Sequence, residues 1–394
     1  MTINLQINRT LSPTSPVSAA SDHLIVKIRS EVLIVGGGPA GIVAAIAAAR
    51  RGLHATVLDA RKPPIDKPCG ESILPQGVAA LEALGISLPP ESAFPFRGLR
   101  FLDEKHSADA HFAGATGYAL RRVKLHQLLV HHAVNAGVEF RWGARVLQID
   151  RESVTTAAEQ FSYRWLVGAD GQNSQVRKWA GLDSRKVRKQ RFGFCSHFAV
   201  KPWSDSVEVH WARGCQMFIT PIADEEIDVA VLSSDPSQRL AGALAQFPSV
   251  AERLQGAVRT SRESGDTTSL RILPAAARGC VALVGDASGT VDALTGYGMS
   301  ISFQQAGHLA SAMKLGDLAG YQIAHKKISA VPVTMARLML LMDRSDWIRR
   351  KTIRLFQQSP RMFARLLAIH SEAEPLSSVR AAEIAGFGWK FLWT

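Results

Sequence analysis

The stretch at residues 32–52, VLIVGGGPAGIVAAIAAARRG, constrains the fold of this chain more than any other. Four apolar residues predict a buried strand, the glycines follow as Gly36-x-Gly38-x-x-Gly41, and an alanine-rich helix comes next. In such units the first glycine makes the tight turn, the second lets a pyrophosphate approach the backbone, and the third packs the helix against the strand. The helix N-terminus then presents free N–H groups to the phosphates. The stretch therefore predicts a Rossmann-like unit that binds a dinucleotide.

A second predicted strand, residues 55–58, ends in Asp59. This acid follows the glycines by about 20 residues, the spacing at which a carboxylate binds the ribose hydroxyls. The stretch Lys-Pro-Cys-Gly-Glu-Ser at 67–72 comes next and precedes a predicted helix over 75–84. Its position predicts a loop that meets the far end of an extended dinucleotide.

The composition is that of a globular protein with two or three structural regions. The chain has 394 residues, of which 46% are hydrophobic and 20% charged. Its four cysteines lie far apart without a C-x-x-C pair, which argues against a zinc site and a disulfide scaffold. Such cysteine usage is typical of a reducing compartment, so we expect a cytoplasmic protein.

Residues 1–28 differ in composition from the rest of the chain. They are rich in Ser, Thr, Pro and Asn and lack the apolar run of a signal peptide, so we predict a disordered arm. The sequence has no stretch approaching the roughly 20 apolar residues of a membrane span. The histidines at 126, 131 and 132 share a predicted helix but have no cysteine or carboxylate partner at ligand spacing, so we predict no metal site.

The middle of the chain predicts a second domain of a different kind. Period-2 apolar patterns indicate an antiparallel sheet followed by a helix over 236–254. Its predicted strands are residues 192–200, 206–211, 216–221 and 227–232. We assign residues 91–112 and 189–271 to this sheet domain. The dinucleotide-binding domain takes residues 29–90, 113–188 and 272–315, and a helical, basic region takes residues 316–394.

Two further apolar strands end in an acid and a glycine. One leads to Asp170-Gly171 and the other to Gly285-Asp286, after which glycines at 296 and 298 precede a long helix. In this order, the three motifs resemble the single-component flavoprotein monooxygenases of the para-hydroxybenzoate hydroxylase fold (group A) and their relatives, the geranylgeranyl reductases. The resemblance covers residues 30–315. It implies an α/β (α+β) fold with a Rossmann-like FAD-binding domain, an inserted antiparallel-sheet substrate domain and a helical C-terminal region.

The resemblance implies FAD as the cofactor and assigns its contacts position by position. The implied FAD-binding residues are Gly36, Gly38, Pro39, Ala40, Gly41, Asp59, Ala60, Arg61, Cys69, Gly70, Glu71, Ser72, Arg122, Val146, Asp170, Gly171, Gly285, Asp286, Gly296, Gly298 and Met299. Val146 is expected on a strand that holds the adenine. The sequence lacks a second G-x-G-x-x-G unit, so NADH or NADPH is expected to bind transiently as the electron donor.

The activity implied first is monooxygenation. An FAD-dependent monooxygenase of this family uses molecular oxygen and a flavin C4a-hydroperoxide, here on a hydrophobic aromatic, phenolic or polyketide-like substrate. The alternative is a reductase that saturates isoprenoid or other C=C bonds, which the Lys-Pro-Cys-Gly stretch favours. Further alternatives are oxygenation of a side chain on a partner protein and a vestigial flavoprotein with an assembly role. The halogenase motif Trp-x-Trp-x-Ile is absent from the sequence.

Candidate catalytic and substrate residues come from the predicted sheet and the Cys-Gly-Glu-Ser stretch. The candidate catalytic residues are His197, His210 and Cys69. The candidate substrate residues are Trp211, Met217, Phe218 and Asp292.

The formal charge of +12 is concentrated late in the chain. The sequence shows no nucleic-acid motif, so nucleic acid is not an expected partner. Cations alternate with apolar and aromatic residues over 344–365. This pattern fits either a helical cap with a solvated face or a surface for peripheral membrane or partner-protein contact.

Overall fold

The computed structural model describes residues 26–183, 190–379, 386, 390 and 391. Most of the predicted N-terminal arm, residues 1–25, lies outside this part. Residues 26–28 of that arm are not irregular, because the first strand already begins at Val26.

Helices occupy the N-terminal half sparsely and the last hundred residues densely. In chain order they are α1 (Pro39–Ala49), α2 (Pro75–Ala83), α3 (Arg122–Asn135), α4 (Gln175–Trp179), α5 (Leu240–Leu244), α6 (Pro248–Arg253), α7 (Gly298–Leu315), α8 (Ala319–Arg344), α9 (Asp346–Gln358) and α10 (Pro360–His370), with 3-10 turns at Gly285–Ser288, Ala293–Thr295 and Leu376–Ser378. The single helix predicted over 236–254 is two helices, because Pro248 lacks an N–H to continue α5 and instead begins α6.

The strands fall into three sheets. In chain order they are β1 (Val26–Val35), β2 (Ala55–Asp59), β3 (Ser72–Ile73), β4 (Phe94–Phe96), β5 (Gly98–Leu102), β6 (Ser107–His111), β7 (Gly117–Ala119), β8 (Glu139–Trp142), β9 (Gln148–Ile149), β10 (Ser153–Thr155), β11 (Glu159–Gly168), β12 (Arg191–Ala199), β13 (Val207–Ala212), β14 (Cys215–Ala223), β15 (Glu226–Ser233), β16 (Val258–Arg259), β17 (Ser264–Thr268), β18 (Ala277–Arg278) and β19 (Val281–Leu283).

The first sheet has the order β18-β19-β11-β1-β2-β8, with the β9–β10 hairpin attached to β11. The strands from β19 to β8 run parallel. Helices α1, α3 and α7 cover one face in a continuous apolar core, and α4 packs on the other face with Phe161 and Val176. The predicted α/β fold with a Rossmann-like domain is therefore confirmed.

The second sheet has the order β16-β12-β15-β14-β13-β5-β6, with β17 paired to β12. Its strands are antiparallel except that β5 and β13 run parallel, so the sheet is not purely antiparallel as predicted. A small third sheet, β3-β7-β4, joins the loop before α2 to the start of α3. One face of the second sheet packs on α5 and α6.

The C-terminal helices α8, α9 and α10 cover the β5–β6 end of the second sheet. Phe101 of β5 packs edge-on against Trp211 of β13 and contacts Phe356 of α9 and Phe363 of α10. Within the described ranges, helices that are both long and apolar enough to cross a membrane are absent.

Candidate functional site

A single large cavity runs between the two main sheets and continues under the C-terminal helices. Its volume is about 1830 Å³. The glycine loop, the two acid-glycine turns and the 67–72 loop line one part of it, and the inner face of the second sheet lines another. Helices α8 to α10 enclose a third, apolar part. The cavity is therefore large enough for a dinucleotide and a second ligand together.

The glycine loop is shaped by close backbone contacts. Gly36 has φ +115°, and a Cβ there would lie 2.3 Å from the carbonyl oxygen of Ala169, which precedes the Asp170 turn. A Cβ on Gly41 would lie 1.9 Å from the Gly36 carbonyl oxygen. At Gly38, by contrast, a Cβ would meet no atom of the described chain within 4 Å, and this residue lines the cavity. The first and third glycines thus permit the packing, and the second leaves the wall open.

Asp59 and the buried His126 stabilise the glycine loop through hydrogen bonds to its backbone. The Asp59 carboxylate accepts hydrogen bonds from the backbone N–H groups of Gly37 at 2.8 Å and Arg61 at 2.7 Å. His126 of α3 contacts the Gly37 carbonyl oxygen through Nε2 at 2.9 Å and accepts from the Ile65 N–H through Nδ1 at 3.5 Å. Burial lowers the pKa of His126, so the ring is neutral near pH 7 and carries one N–H toward Gly37. No local pattern in the sequence indicates these hydrogen bonds.

The two later acid-glycine turns meet the same cavity. One Asp170 oxygen accepts from the N–H groups at the start of α4, at 2.7 Å and 3.2 Å, while its buried Oδ1 has no hydrogen-bond partner in the described part. Asp286 lies 3.3 Å from the Lys67 ammonium, which also contacts Asp266 at 3.1 Å. Burial of Lys67 opposes its charge, but the two carboxylates outweigh that effect and raise its pKa.

Two helix N-termini lack side-chain caps and face the cavity. Neither Gly38 before α1 nor Tyr297 before α7 makes a side-chain cap hydrogen bond. The glycine at 298 has open space where a Cβ would be, and it lines the cavity. Free N–H groups, a positive dipole end and missing side chains are what an anionic group needs at close range. The residues present therefore fit FAD, whose pyrophosphate belongs at α1.

The 67–72 loop carries the reactive groups where the FAD-binding part meets the second sheet. Cys69 is partly buried, and its Sγ accepts from the Glu71 N–H at 3.4 Å and lies 3.9 Å from Arg122 Nη1. Burial raises the pKa of the Cys69 thiol more than the guanidinium of Arg122 lowers it. Cys69 is therefore a neutral thiol in the cavity wall near pH 7.

Glu71 connects this loop to the sheet. One of its oxygens accepts from the Arg122 N–H at 2.7 Å and the other lies 2.9 Å from His197 Nε2. The residue has φ +54°, a conformation uncommon outside glycine. Asp228, fully buried 3.8 Å from His197, has a strongly raised pKa because of burial and the nearby Glu71 charge. A carboxyl that stays protonated therefore lies behind the Glu71–His197 pair.

Most residues predicted for FAD line the cavity together. The lining set includes Gly38, Pro39, Ala40, Asp59, Ala60, Arg61, Cys69, Gly70, Glu71, Ser72, Arg122, Val146, Asp170, Gly171, Gly285, Asp286, Gly296, Gly298 and Met299. Gly36 and Gly41 do not line the cavity; they make the close backbone contacts described above. Val146 is in the loop before β9 rather than on a strand, because β9 comprises only Gln148–Ile149.

The predicted catalytic and substrate residues of β13 and β14 lie on opposite faces of the second sheet. Phe218 lines the cavity, and Trp211 shares its face but lies beneath Phe101. His210 and Met217 pair across strands on the opposite face, so their assignment to the site is corrected: His210 bonds Glu208 at 2.9 Å and Met217 packs toward α5 and α6. His197 reaches the cavity only through Glu71.

Asp292 is also corrected as a substrate residue. It is 1% exposed, caps the 3-10 turn that follows it, and lies 3.0 Å from Arg191, which is 3% exposed. Its neighbours line the cavity, but its own carboxylate is turned into the protein.

The apolar part of the cavity under α8 to α10, which we call the chamber, was not predicted. Its wall on α8 carries three methionines, and α9 and α10 contribute aromatic and aliphatic side chains. These residues are Met335, Met339, Met342, Ile348, Phe356 and Phe363. The methionine spacing of four and three residues was a helical signal already visible in the sequence.

Comparisons with known proteins agree with this geometry. The model of the family described as FAD binding domain matches residues 29–316. Menaquinone reductase of Mycolicibacterium smegmatis is 25% identical over 327 residues, which are 75% of this chain and 79% of that protein. Digeranylgeranylglycerophospholipid reductase 1 of Methanothermobacter thermautotrophicus is 26% identical over 340 residues, 80% of this chain and 82% of that protein. The solved structure of a flavin-dependent brominase Bmp2 triple mutant has a TM-score of 0.76 at 18% identity and covers 91% of this chain and 99% of its own; at that identity it shows the fold alone.

Proposed function

Since this chain belongs to the FAD binding domain family and is an FAD-dependent oxidoreductase, we propose that it reduces a carbon–carbon double bond in a long apolar, isoprenoid-like substrate. The observation that carries the proposal is the neutral Cys69 thiol in the wall of a cavity that continues into an apolar chamber under α8 to α10. Reduction of a C=C bond needs a proton donor, and hydroxylation of a phenol needs a base. The two relatives described above are both reductases by name, which supports reduction over hydroxylation.

The residues of the chain have separate roles in this reaction. When bound by the cavity and reduced by NADH or NADPH, FAD would supply the hydride for one carbon of the double bond. Cys69 donates its proton to the other carbon, so the substrate gains two hydrogen atoms. The resulting thiolate is stabilised by the Glu71 N–H and the Arg122 guanidinium until it takes a proton from water. The chamber wall orients the chain and excludes water from the reacting carbons.

Hydroxylation of an aromatic or phenolic substrate is the second candidate. It is favoured by the Glu71–His197 pair, because Glu71 lines the cavity and a carboxylate hydrogen-bonded to histidine can accept a phenol proton. The same apolar chamber would hold an alkyl chain on such a ring. Molecular oxygen is required for this reaction and not for reduction.

The product mass separates the two reactions. We would incubate holoenzyme with geranylgeraniol or an alkylphenol and with NADH or NADPH, once without oxygen and once in air. The proposal expects a gain of two hydrogen atoms in the prenyl substrate without oxygen. If a product forms only in air and gains one oxygen atom, the reductase proposal is wrong and hydroxylation replaces it.

Loss of the Cys69 thiol should slow reduction without loss of FAD. We expect Cys69→Ala to lower kcat by about a hundredfold, the usual size of a lost proton donor. In the wild type, activity should hold through neutral pH and fall only above the ordinary thiol pKa of 9.0, because burial raises the pKa and the donor must be protonated. Cys69→Ala should lose that alkaline decline.

The control for this prediction is Cys280→Ala. Cys280 is partly buried and packs against the apolar core of the first sheet. It should keep both rate and pH profile. An unchanged kcat in Cys69→Ala with full FAD content would show that another group supplies the proton.

A further inference from the structure

The exposed face of α8 combines cations with large apolar side chains. Arg337, Leu341 and Arg344 follow a spacing of four and three residues, which places them on one side of the helix. We call the exposed residues on this side the basic stripe: Ile323, Lys326, Lys327, Arg337, Leu338, Leu341 and Arg344. The opposite side buries Tyr321 and the chamber methionines. The stripe is thus an amphipathic face turned to solvent while the rest of α8 is packed.

The charge of this region has one sign. Residues 319–370 contain ten Lys and Arg against two Asp, a formal +8 of the chain total of +12. Both acids already have partners in the fold, since Asp343 accepts a hydrogen bond from Gln216 and the partly exposed Asp346 pairs with Arg349 at 2.9 Å. The stripe itself has no acidic residue in the sequence. Its surface therefore attracts an anionic partner over a distance set by salt screening.

Two apolar members of the stripe, Leu338 and Leu341, are also walls of the chamber. Leu338 and Leu341 line the cavity and are 50% and 47% exposed, and Trp347 at the start of α9 lines it and is 57% exposed. A side chain that both lines a cavity and faces solvent marks its opening. The chamber therefore opens between α8 and α9, among large apolar side chains flanked by arginines.

We propose that this opening is a docking surface for an anionic lipid bilayer, through which the apolar substrate enters the chamber. The inference rests on the proposed function, because it supplies the route for a substrate that dissolves in lipid rather than in water. The leucines and Trp347 would lie at the level of the headgroups, where tryptophan is preferred, and the stripe cations would contact the anionic headgroups. The helix would lie on the membrane without crossing it.

A bilayer fits these features better than a second protein does. The cations are spread over 19 residues of α8, from Lys326 to Arg344, which suits a broad surface of like charge rather than a defined acidic cleft. The chamber behind the opening is continuous with the FAD-binding part, so the surface leads to the site. Charge complementarity and this continuity select the anionic membrane as the occupant.

Vesicle sedimentation tests the proposal without substrate. Holoenzyme is mixed with vesicles of phosphatidylcholine alone or with one third phosphatidylglycerol, at low and high NaCl. We expect binding only to the anionic vesicles and release at high salt. Arg337→Glu with Arg344→Glu should weaken binding by about thirtyfold or more, since each cation near an anionic surface adds to the affinity.

The matched control reverses two exposed cations elsewhere, Lys178→Glu with Lys201→Glu. Lys201 follows β12 at the end opposite Arg191, and Arg191 is the end that contacts α8 through Asp343. This control should bind vesicles like the wild type. Equal weakening in both double variants, or no binding of the wild type at low salt, would overturn the proposal. So would a dimer in sedimentation velocity that Leu338→Ser with Leu341→Ser abolishes, because a second copy would then cover the opening.

Failure of docking and failure of the reaction remain distinguishable. Arg337→Glu with Arg344→Glu should reduce a short, water-soluble prenyl alcohol at the wild-type rate and lose activity only with substrate held in anionic vesicles. A loss of activity on both substrates would instead place these arginines in the reaction and contradict the docking role.

Discussion

Gly38→Val should lower the affinity for FAD by about a thousandfold while the apoprotein keeps its fold. The valine side chain would enter open space in the cavity wall, where a Cβ meets no described atom within 4 Å, so the protein itself has no clash. The backbone at this position is extended, with φ −77° and ψ 175°, which valine adopts readily. The branched side chain would hold the pyrophosphate away from the N–H groups of α1.

The size of this effect follows from the bonds that are lost. Two or three charge-assisted hydrogen bonds, at about 1.5–3 kcal/mol each, total about 3–9 kcal/mol, a range that includes the roughly 4 kcal/mol of a thousandfold change in affinity. The measurement is FAD titration of the apoprotein by fluorescence, with circular dichroism to confirm folding. Gly307→Ala on α7, where a Cβ is also unobstructed, should leave FAD affinity unchanged. Retention of FAD by Gly38→Val would mean that the pyrophosphate does not lie at α1.

Arg191→Met should destabilise the protein by about 3–5 kcal/mol, because it leaves a buried carboxylate without its cation. Arg191 begins β12 and contacts three separate parts of the fold. Its guanidinium lies 3.0 Å from Asp292 in the 3-10 turn region, hydrogen-bonds Gln216 of β14, and lies 3.8 Å from Asp343 of α8. One side chain therefore ties the second sheet to the FAD-binding part and to the chamber.

Urea unfolding of the variants measures this effect. Arg164→Met removes an exposed arginine that pairs with Glu31 at 3.2 Å, and it should cost no more than about 1 kcal/mol. Adding Asp292→Asn to Arg191→Met should recover part of the loss, since the double variant no longer leaves the buried Asp292 charge unpaired. A double variant that is less stable than Arg191→Met alone would mean that the carboxylate is held by other groups.

The parts of the site that follow one another in the chain were predictable. The glycine loop, Asp59, Asp170 and Asp286 come directly after buried strands, and the carboxyl ends of parallel strands meet at one edge of a sheet. Period and spacing therefore predict that these residues lie together, and in the structure they line one cavity. The break at Pro248 was also visible, since proline cannot continue a helix that precedes it.

The sequence predicts less well which side of each strand in the second sheet faces the cavity. In the second sheet a one-residue difference in register exchanges the two faces, and both faces here are apolar because helices cover each of them. For this reason the apolar pattern does not distinguish His210 and Met217 from the residues on the cavity side. Long-range polar pairs such as Arg191–Asp292 and His126–Gly37 leave no local pattern, because their partners are set by the tertiary fold.

The order of strands in the first sheet has a consequence for synthesis of the protein. Strand β11 pairs with β1 on one side and with β19 on the other, and β19 begins only at Val281. At ribosomal rates of roughly 5–20 residues per second, about 6–23 s separate the synthesis of Gly168, the last residue of β11, from that of Val281. During that interval the β11 edge is open to other nascent chains, and strand edges of this kind are where chaperones and aggregates compete. Translation speed between Gly168 and Val281 should thus influence how much flavoprotein a cell obtains.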